Sequence, residues 1–245
     1  MTFTYLITGA SRGLGLAYTL SLLRSSPSTR VVAAVRNPAS GAELLKPVQE
    51  EFGDRLHVLE CDVTSSESTQ EAAQKLAQSG FVSDTEGLDA VLANAGVAAG
   101  GFNTATQAST EDLERNLAVN LYGVINTVNA FLPLLRKGQG KQIFVTSSLV
   151  GSIGGPLGQL PIFSTYAVSK AAVNMYTVKL ARELADDGFT VIPFHPGYVK
   201  TDMNSGQGDL ENQEAGDLAA KNVFLAAKKE DNAKFMVYDG TTLPW

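Results

Sequence analysis

In the stretch STYAVSK, Tyr166 and Lys170 stand four residues apart, the interval that puts two side chains on one face of a helix. A phenol is a proton donor with an ordinary pKa of about 10, and an ammonium group nearby favours phenolate and strengthens the donor. Such a pair can protonate an oxygen that gains negative charge, which is what a carbonyl receiving hydride requires. The spacing alone is equally satisfied by two ordinary polar groups on a helix surface. A second cluster concerns phosphate. LITGASRGLGLAYTL places Gly9, Gly13 and Gly15 after a strand-like run and at the start of a helical one. Glycine there permits a tight turn and lets backbone approach a pyrophosphate, whose charge a helix N-terminus favours. The spacing is TGxxxGxG and differs from GxGxxG.

The elements that must hold these residues alternate along the chain. Short β-branched runs recur at 2–8, 29–35, 55–61, 88–94, 141–147, 190–196 and 234–240, separated by stretches of helical periodicity such as 113–137. Near-continuous apolar strands alternating with helices predict an α/β fold: a doubly wound, seven-stranded parallel sheet with helices on both faces. No repeat, linker or composition shift divides the 245 residues, so a single Rossmann-fold domain over 1–245 is expected. The polar segment 204–217 lies just after a strand end, where lids over ligand sites occur.

The formal net charge of -6, without a basic block, argues against nucleic acid as a partner. The start of the chain lacks the pattern of a signal peptide. No uninterrupted apolar run approaches the ~20 residues that span a bilayer, so no membrane partner is expected and a cytoplasmic placement is. One cysteine, Cys61, gives no disulfide framework, and with only His57 and His195 beside it no metal centre is expected.

The motifs together resemble the short-chain dehydrogenase/reductase family. The residues that carry the likeness are Thr8 to Gly15, ANAG at 93–96, Asn120, TSS at 146–148, Tyr166 with Lys170, and HPGYVKTDM at 195–203. Within the family the sequence is most similar to sniffer-type carbonyl reductases and the fungal norsolorinic acid ketoreductase group. The resemblance implies that Tyr166 is general acid in reduction and base in oxidation, that Lys170 also holds the nicotinamide ribose, and that Asn120 holds a relay water. It further implies a serine that positions the substrate oxygen. Ser148, in the Ser-x-x-Gly of 148–151, is the choice, with Ser147 the fallback. The interval to Tyr166 is longer than the family's usual one, which points to an insertion at 152–164.

Cofactor contacts implied by the resemblance are Gly9, Ser11, Arg12, Gly13, Leu14 and Gly15 in the loop, Asp62 and Val63 at the adenine, and Asn94, Ala95 and Gly96 beside the ribose. Pro196, Gly197, Val199 and Thr201 would meet the nicotinamide, with Tyr166 and Lys170. Ala93 replaces an asparagine common in the family. Asp62 could also belong to the cap region of the following helix, where Thr64 and Ser65 fit as well. Asn116, Asn126 and Asn129 lack the flanking match to Asn120 and are expected on the surface. His195 has no acid or serine placed to form a relay and is expected to be non-catalytic.

The second strand ends in Arg36, where an acidic residue would bind a ribose 2′-hydroxyl. Arg12 and Arg36 could clamp a 2′-phosphate through charge-assisted bonds, so NADPH is expected over NADH. Leu157, Leu160, Ile162, Phe163, Tyr198 and Met203, with the loops at 97–104 and 203–215, would offer a small-molecule carbonyl or alcohol an apolar, partly aromatic surface. The expected activity is NADPH-dependent reduction of ketones or aldehydes. An NAD-linked alcohol dehydrogenase working in oxidation, and a cofactor-binding regulator without turnover, remain open. The helices near 113–136 and 166–186 suit a homo-oligomer contact.

Overall fold

The computed structural model describes residues 2–83 and 85–245. Seven strands, β1 (Phe3–Thr8), β2 (Thr29–Val35), β3 (Leu56–Glu60), β4 (Ala90–Ala93), β5 (Gln142–Thr146), β6 (Thr190–His195) and β7 (Met236–Val237), form one sheet in the order β3-β2-β1-β4-β5-β6-β7. Every pairing along it is parallel. The order reverses between β1 and β4, which opens a crevice at their carboxyl ends. The expected single-domain Rossmann fold is the observed one.

Alternate strand residues point to opposite faces and build two cores. Leu6, Val32, Val91, Ile143 and Val191 pack under α3 (Ser66–Gln78), α5 (Gly123–Lys137) and α6 (Ser164–Glu183), while α4 (Thr110–Leu117) lies against α6. Tyr5, Ile7, Val31, Leu92 and Phe144 pack under α1 (Gly13–Ser25), α2 (Pro38–Phe52) and α7 (Asn212–Ala219).

Three expectations are corrected here. The stretch 113–137 is one helical path from Thr110 to Lys137, broken by a π turn at Ala118–Tyr122. That path is long and apolar enough to cross a membrane, although asparagines interrupt its apolar runs. Its Val124, Val128, Phe131, Leu134 and Leu135 are buried in the sheet-facing core. The last strand is much shorter than 234–240, because the chain folds back after it: Val237 N–H donates to Thr241 O around Asp239 and Gly240.

Candidate active site

The glycine loop joins β1 to α1 at the crevice. Gly9 has φ +66°, and a Cβ there would lie 3.1 Å from Ala95 Cα. A Cβ on Gly15 would overlap the Gly9 carbonyl oxygen and sit 2.8 Å from Asn94 Nδ2. The first turn of α1 thus rests directly on the β1 and β4 loops. Asn94 fastens them: its Nδ2 donates to Thr8 O (2.9 Å), while its own N–H and that of Ala95 donate to Thr8 Oγ1. Ser11 and Leu14 flank the turn. Arg12 is exposed and pairs with Asp202 at 3.0 Å, bridging the loop to the segment after β6. Arg36 is exposed at the end of β2, whose Ala34 carbonyl accepts from Ala10 N–H at 3.3 Å.

Asp62 is half-buried, and its Oδ1 accepts from the Thr64 N–H and hydroxyl at 2.9 and 2.7 Å. The cap of α3 is Ser65, which accepts from Ser68 N–H. Val63 is buried against Gly123, and its carbonyl accepts from Asn126 Nδ2 at 2.9 Å. After β6, Gly197 has φ +94°, and a Cβ there would meet Leu210 and Tyr238. Val199 is buried and bridges to Leu210. Thr201 caps a short turn through Asn204. Pro196 stands at the start of this segment, so the predicted nicotinamide-side residues share one loop.

At the carboxyl ends of β4 and β5 the structure brings together Tyr166, Lys170, Ser148 and Asn120. Tyr166 is the third residue of α6 and is half-buried, and the Ser148 side chain is near enough to its hydroxyl to oppose the rise in pKa that burial causes. Ser147, the fallback, points the other way and donates to Asn174 Oδ1 inside the core. Gly151 lies against α6, where a Cβ would come within 2.7 Å of Lys170 Cβ, which gives the Ser-x-x-Gly spacing its packing reason. His195 is a support: its Nδ1 accepts from Leu149 N–H at 3.3 Å, and burial lowers its pKa to about 4, so it is neutral and holds the serine loop.

Lys170 is 3% exposed, its ammonium 5.7 Å from the Tyr166 ring centre and donating to Thr146 O at 2.8 Å. Burial lowers its pKa to about 8. The expectation of a phenol made more acidic is not met in the protein alone. Burial pushes Tyr166 up to about 12 and outweighs the opposing influence of Ser148.

Asn120 is buried and spans three elements. Its Oδ1 accepts from Val97 N–H, and its Nδ2 donates to Val97 O and Ser169 Oγ, all at 2.9 Å. It sits in the π turn, a local widening common at functional sites. Asn116, expected on the surface, is also fully buried and makes the same kind of contacts one turn earlier. Its position four residues before Asn120 was the signal available in the sequence. Asn126 is half-buried and Asn129 exposed. Asn174, a further turn along the Tyr166–Lys170 face, was also not foreseen; besides Ser147 it binds Gly151 O at 3.1 Å.

The family profile described as short chain dehydrogenase matches residues 4–212. This chain belongs to the short-chain dehydrogenase family. It is 34% identical over 257 residues to an uncharacterized oxidoreductase of Schizosaccharomyces pombe, covering 98% of this chain and 97% of the relative. Among solved structures, the carbonyl reductase Sniffer of D. melanogaster superposes with a TM-score of 0.89 at 27% identity over the whole of both chains. The NADPH-bound carbonyl reductase from chicken fatty liver gives 0.88 at 28% identity over 100% of this chain and 99% of the other. As a short-chain dehydrogenase, the chain is an oxidoreductase.

Proposed function

We propose that this short-chain dehydrogenase, acting as one unit over residues 1–245, reduces ketones or aldehydes to alcohols with NADPH. The observation that carries the reading is the convergence of Tyr166, Ser148 and the Lys170 ammonium beside a glycine turn in which Gly9 and Gly15 leave no room for a Cβ. That cradle fits a dinucleotide: Gly9, Gly13 and Gly15 would face the pyrophosphate, and Arg12 with Arg36 the 2′-phosphate. Ser11 and Leu14 would line the turn, Asp62 and Val63 the adenine, Asn94, Ala95 and Gly96 the ribose, and Pro196, Gly197, Val199 and Thr201 the nicotinamide. When bound, the dihydronicotinamide supplies the hydride and, once oxidised, a positive charge close to the phenol.

Ser148 holds the substrate oxygen, and Tyr166 gives its proton to that oxygen as the carbonyl carbon is reduced. Lys170 holds the ribose and offsets phenolate charge, and Asn120 keeps the Val97 loop and α6 in register for a proton path to solvent. Leu157, Leu160, Phe102, Tyr198 and Met203 are exposed around this end of the sheet and support a hydrophobic or aryl carbonyl as substrate. Likeness to structures described as carbonyl reductases, one of them NADPH-bound, supports the same reading. Exposed Tyr122, Val168 and Met175 on the neighbouring helices support a homo-oligomer contact.

Following NADPH oxidation with an aryl ketone, a hexose and a keto acid tests the assignment. The expected order of kcat/KM puts the aryl ketone first; preference for either of the others overturns the substrate class, and no turnover with any carbonyl overturns the activity.

A further inference from the structure

Three elements meet behind Tyr166, and their polar side chains are spaced alike. Asn116 and Asn120 lie one helical turn apart, Val97 and Ala99 two residues apart in the loop after β4, and Thr165 and Ser169 one turn apart on α6. The rung made by Asn120 joins Val97 to Ser169. The other is made by Asn116. Its Oδ1 accepts from Ala99 N–H at 2.8 Å, and its Nδ2 donates to Ala99 O at 3.0 Å and Thr165 Oγ1 at 3.3 Å. Thr165 Oγ1 in turn donates to Ala99 O at 3.0 Å. Every polar atom of the Asn116 and Thr165 side chains is used, and both residues are buried.

The position of this rung matters because of where Tyr166 stands. It lies in the first turn of α6, whose N–H groups have no partners within the helix. That turn has no side-chain cap and follows Phe163, held at φ 60°, a conformation costly for a residue with a side chain. Lateral ties replace the cap. Ser164 N–H and Oγ donate to Asn103 O, and Thr165, the residue before Tyr166, is gripped by Asn116. Gly100, at φ +88°, makes room, since a Cβ there would come within 2.7 Å of Thr165 Oγ1. Lys170 lies a full turn deeper and rests on Thr146 instead.

We propose that Asn116 and Thr165 are positioning residues that fix the Tyr166 hydroxyl relative to Ser148 and tie it to the 97–104 loop. This rests on the reading of Tyr166 as proton donor. Because the grip ends on Ala99, a ligand that moves the loop also moves the tyrosine; Phe102 of that loop packs against Phe163 with ring centres 4.5 Å apart and the rings tilted by 41°.

The test compares Thr165→Val, Thr165→Ser, Asn116→Ala and Tyr166→Phe with wild type, measuring kcat for the best ketone and the NADPH Kd by fluorescence. A misplacement of a donor by about 1 Å is worth up to ~100-fold in rate. Thr165→Val is therefore expected to lower kcat by roughly 10- to 100-fold while the NADPH Kd stays within about twofold, and Thr165→Ser to restore kcat to within about threefold. Asn116→Ala should match Thr165→Val, and the double variant should be no worse than either, as for two parts of one contact. If Asn116→Ala does not fold, the Val and Ser pair at 165 decides. Unchanged kcat in Thr165→Val, equal loss in Thr165→Ser, or kcat and Kd worsening together would overturn the proposal. Tyr166→Phe separates the two ideas: full activity there removes the donor reading itself, whereas its loss beside an intact Thr165→Val removes the positioning role alone.

Discussion

Gly15→Ala places one methyl where the first turn of α1 touches the loops after β1 and β4. The added Cβ would lie 2.8 Å from Asn94 Nδ2 and overlap the Gly9 carbonyl oxygen. Carbon contacts settle near ~3.5–4.0 Å, so the helix start must retreat by about 1 Å, and overpacking of this kind costs about 1–3 kcal/mol. In a chain of this size each kcal/mol lowers Tm by roughly 2–4 °C. The same retreat withdraws the helix N–H groups from a bound pyrophosphate, so NADPH affinity should fall on the order of 100-fold. Gly80→Ala is the control. Gly80 has φ +72° and nothing within 4 Å, so alanine there costs about 1–2 kcal/mol of backbone strain and leaves cofactor affinity alone. Thermal melts and NADPH fluorescence titrations of the two variants read both effects. Wild-type NADPH affinity in Gly15→Ala would refute the reasoning, as would equal loss of affinity in the control.

Arg36→Ala is expected to raise the NADPH Kd by roughly 10- to 100-fold and change that for NADH less than about threefold, measured by titration with both cofactors. Ser148→Ala should lower kcat by about 100-fold or more, whereas Ser147→Ala should chiefly lower Tm, by about 1–2 kcal/mol of stability, because its hydroxyl serves Asn174 in the core. Lys170 has a pKa of about 8 in the folded protein against an ordinary 10.5. The unfolded chain therefore binds more protons between those values, and stability rises with pH there. From pH 7 to pH 9 the cofactor-free wild type should gain about 1 kcal/mol relative to Lys170→Met, read from denaturant melts.

The periodicity of β-branched runs is sufficient to place the sheet, because strands buried on both faces must be almost wholly apolar. Its shortest strand is overextended in that reading, since Asp239 and Gly240 turn the chain back and a pattern of apolar residues does not record a turn two residues on. Gly9, Gly15, Tyr166 and Lys170 are legible because each depends on local spacing. Asn116 is harder to read: its place four residues before Asn120 puts both on one helix face, but its partners, Ala99 and Thr165, are distant in sequence, and a polar residue in a helix looks exposed until its partners are known. The choice between Ser147 and Ser148 likewise turns on which way each hydroxyl points. The raised pKa of Tyr166 is also out of reach of the sequence, since it reflects burial by groups distant along the chain.

The central claim is that the Tyr166 phenol protonates the substrate oxygen. Single-turnover reduction of the best ketone by NADPH-loaded Tyr166→Phe measures it most directly. The account predicts a rate lower by about 100- to 10,000-fold with NADPH affinity retained. Reduction at the wild-type rate would contradict it.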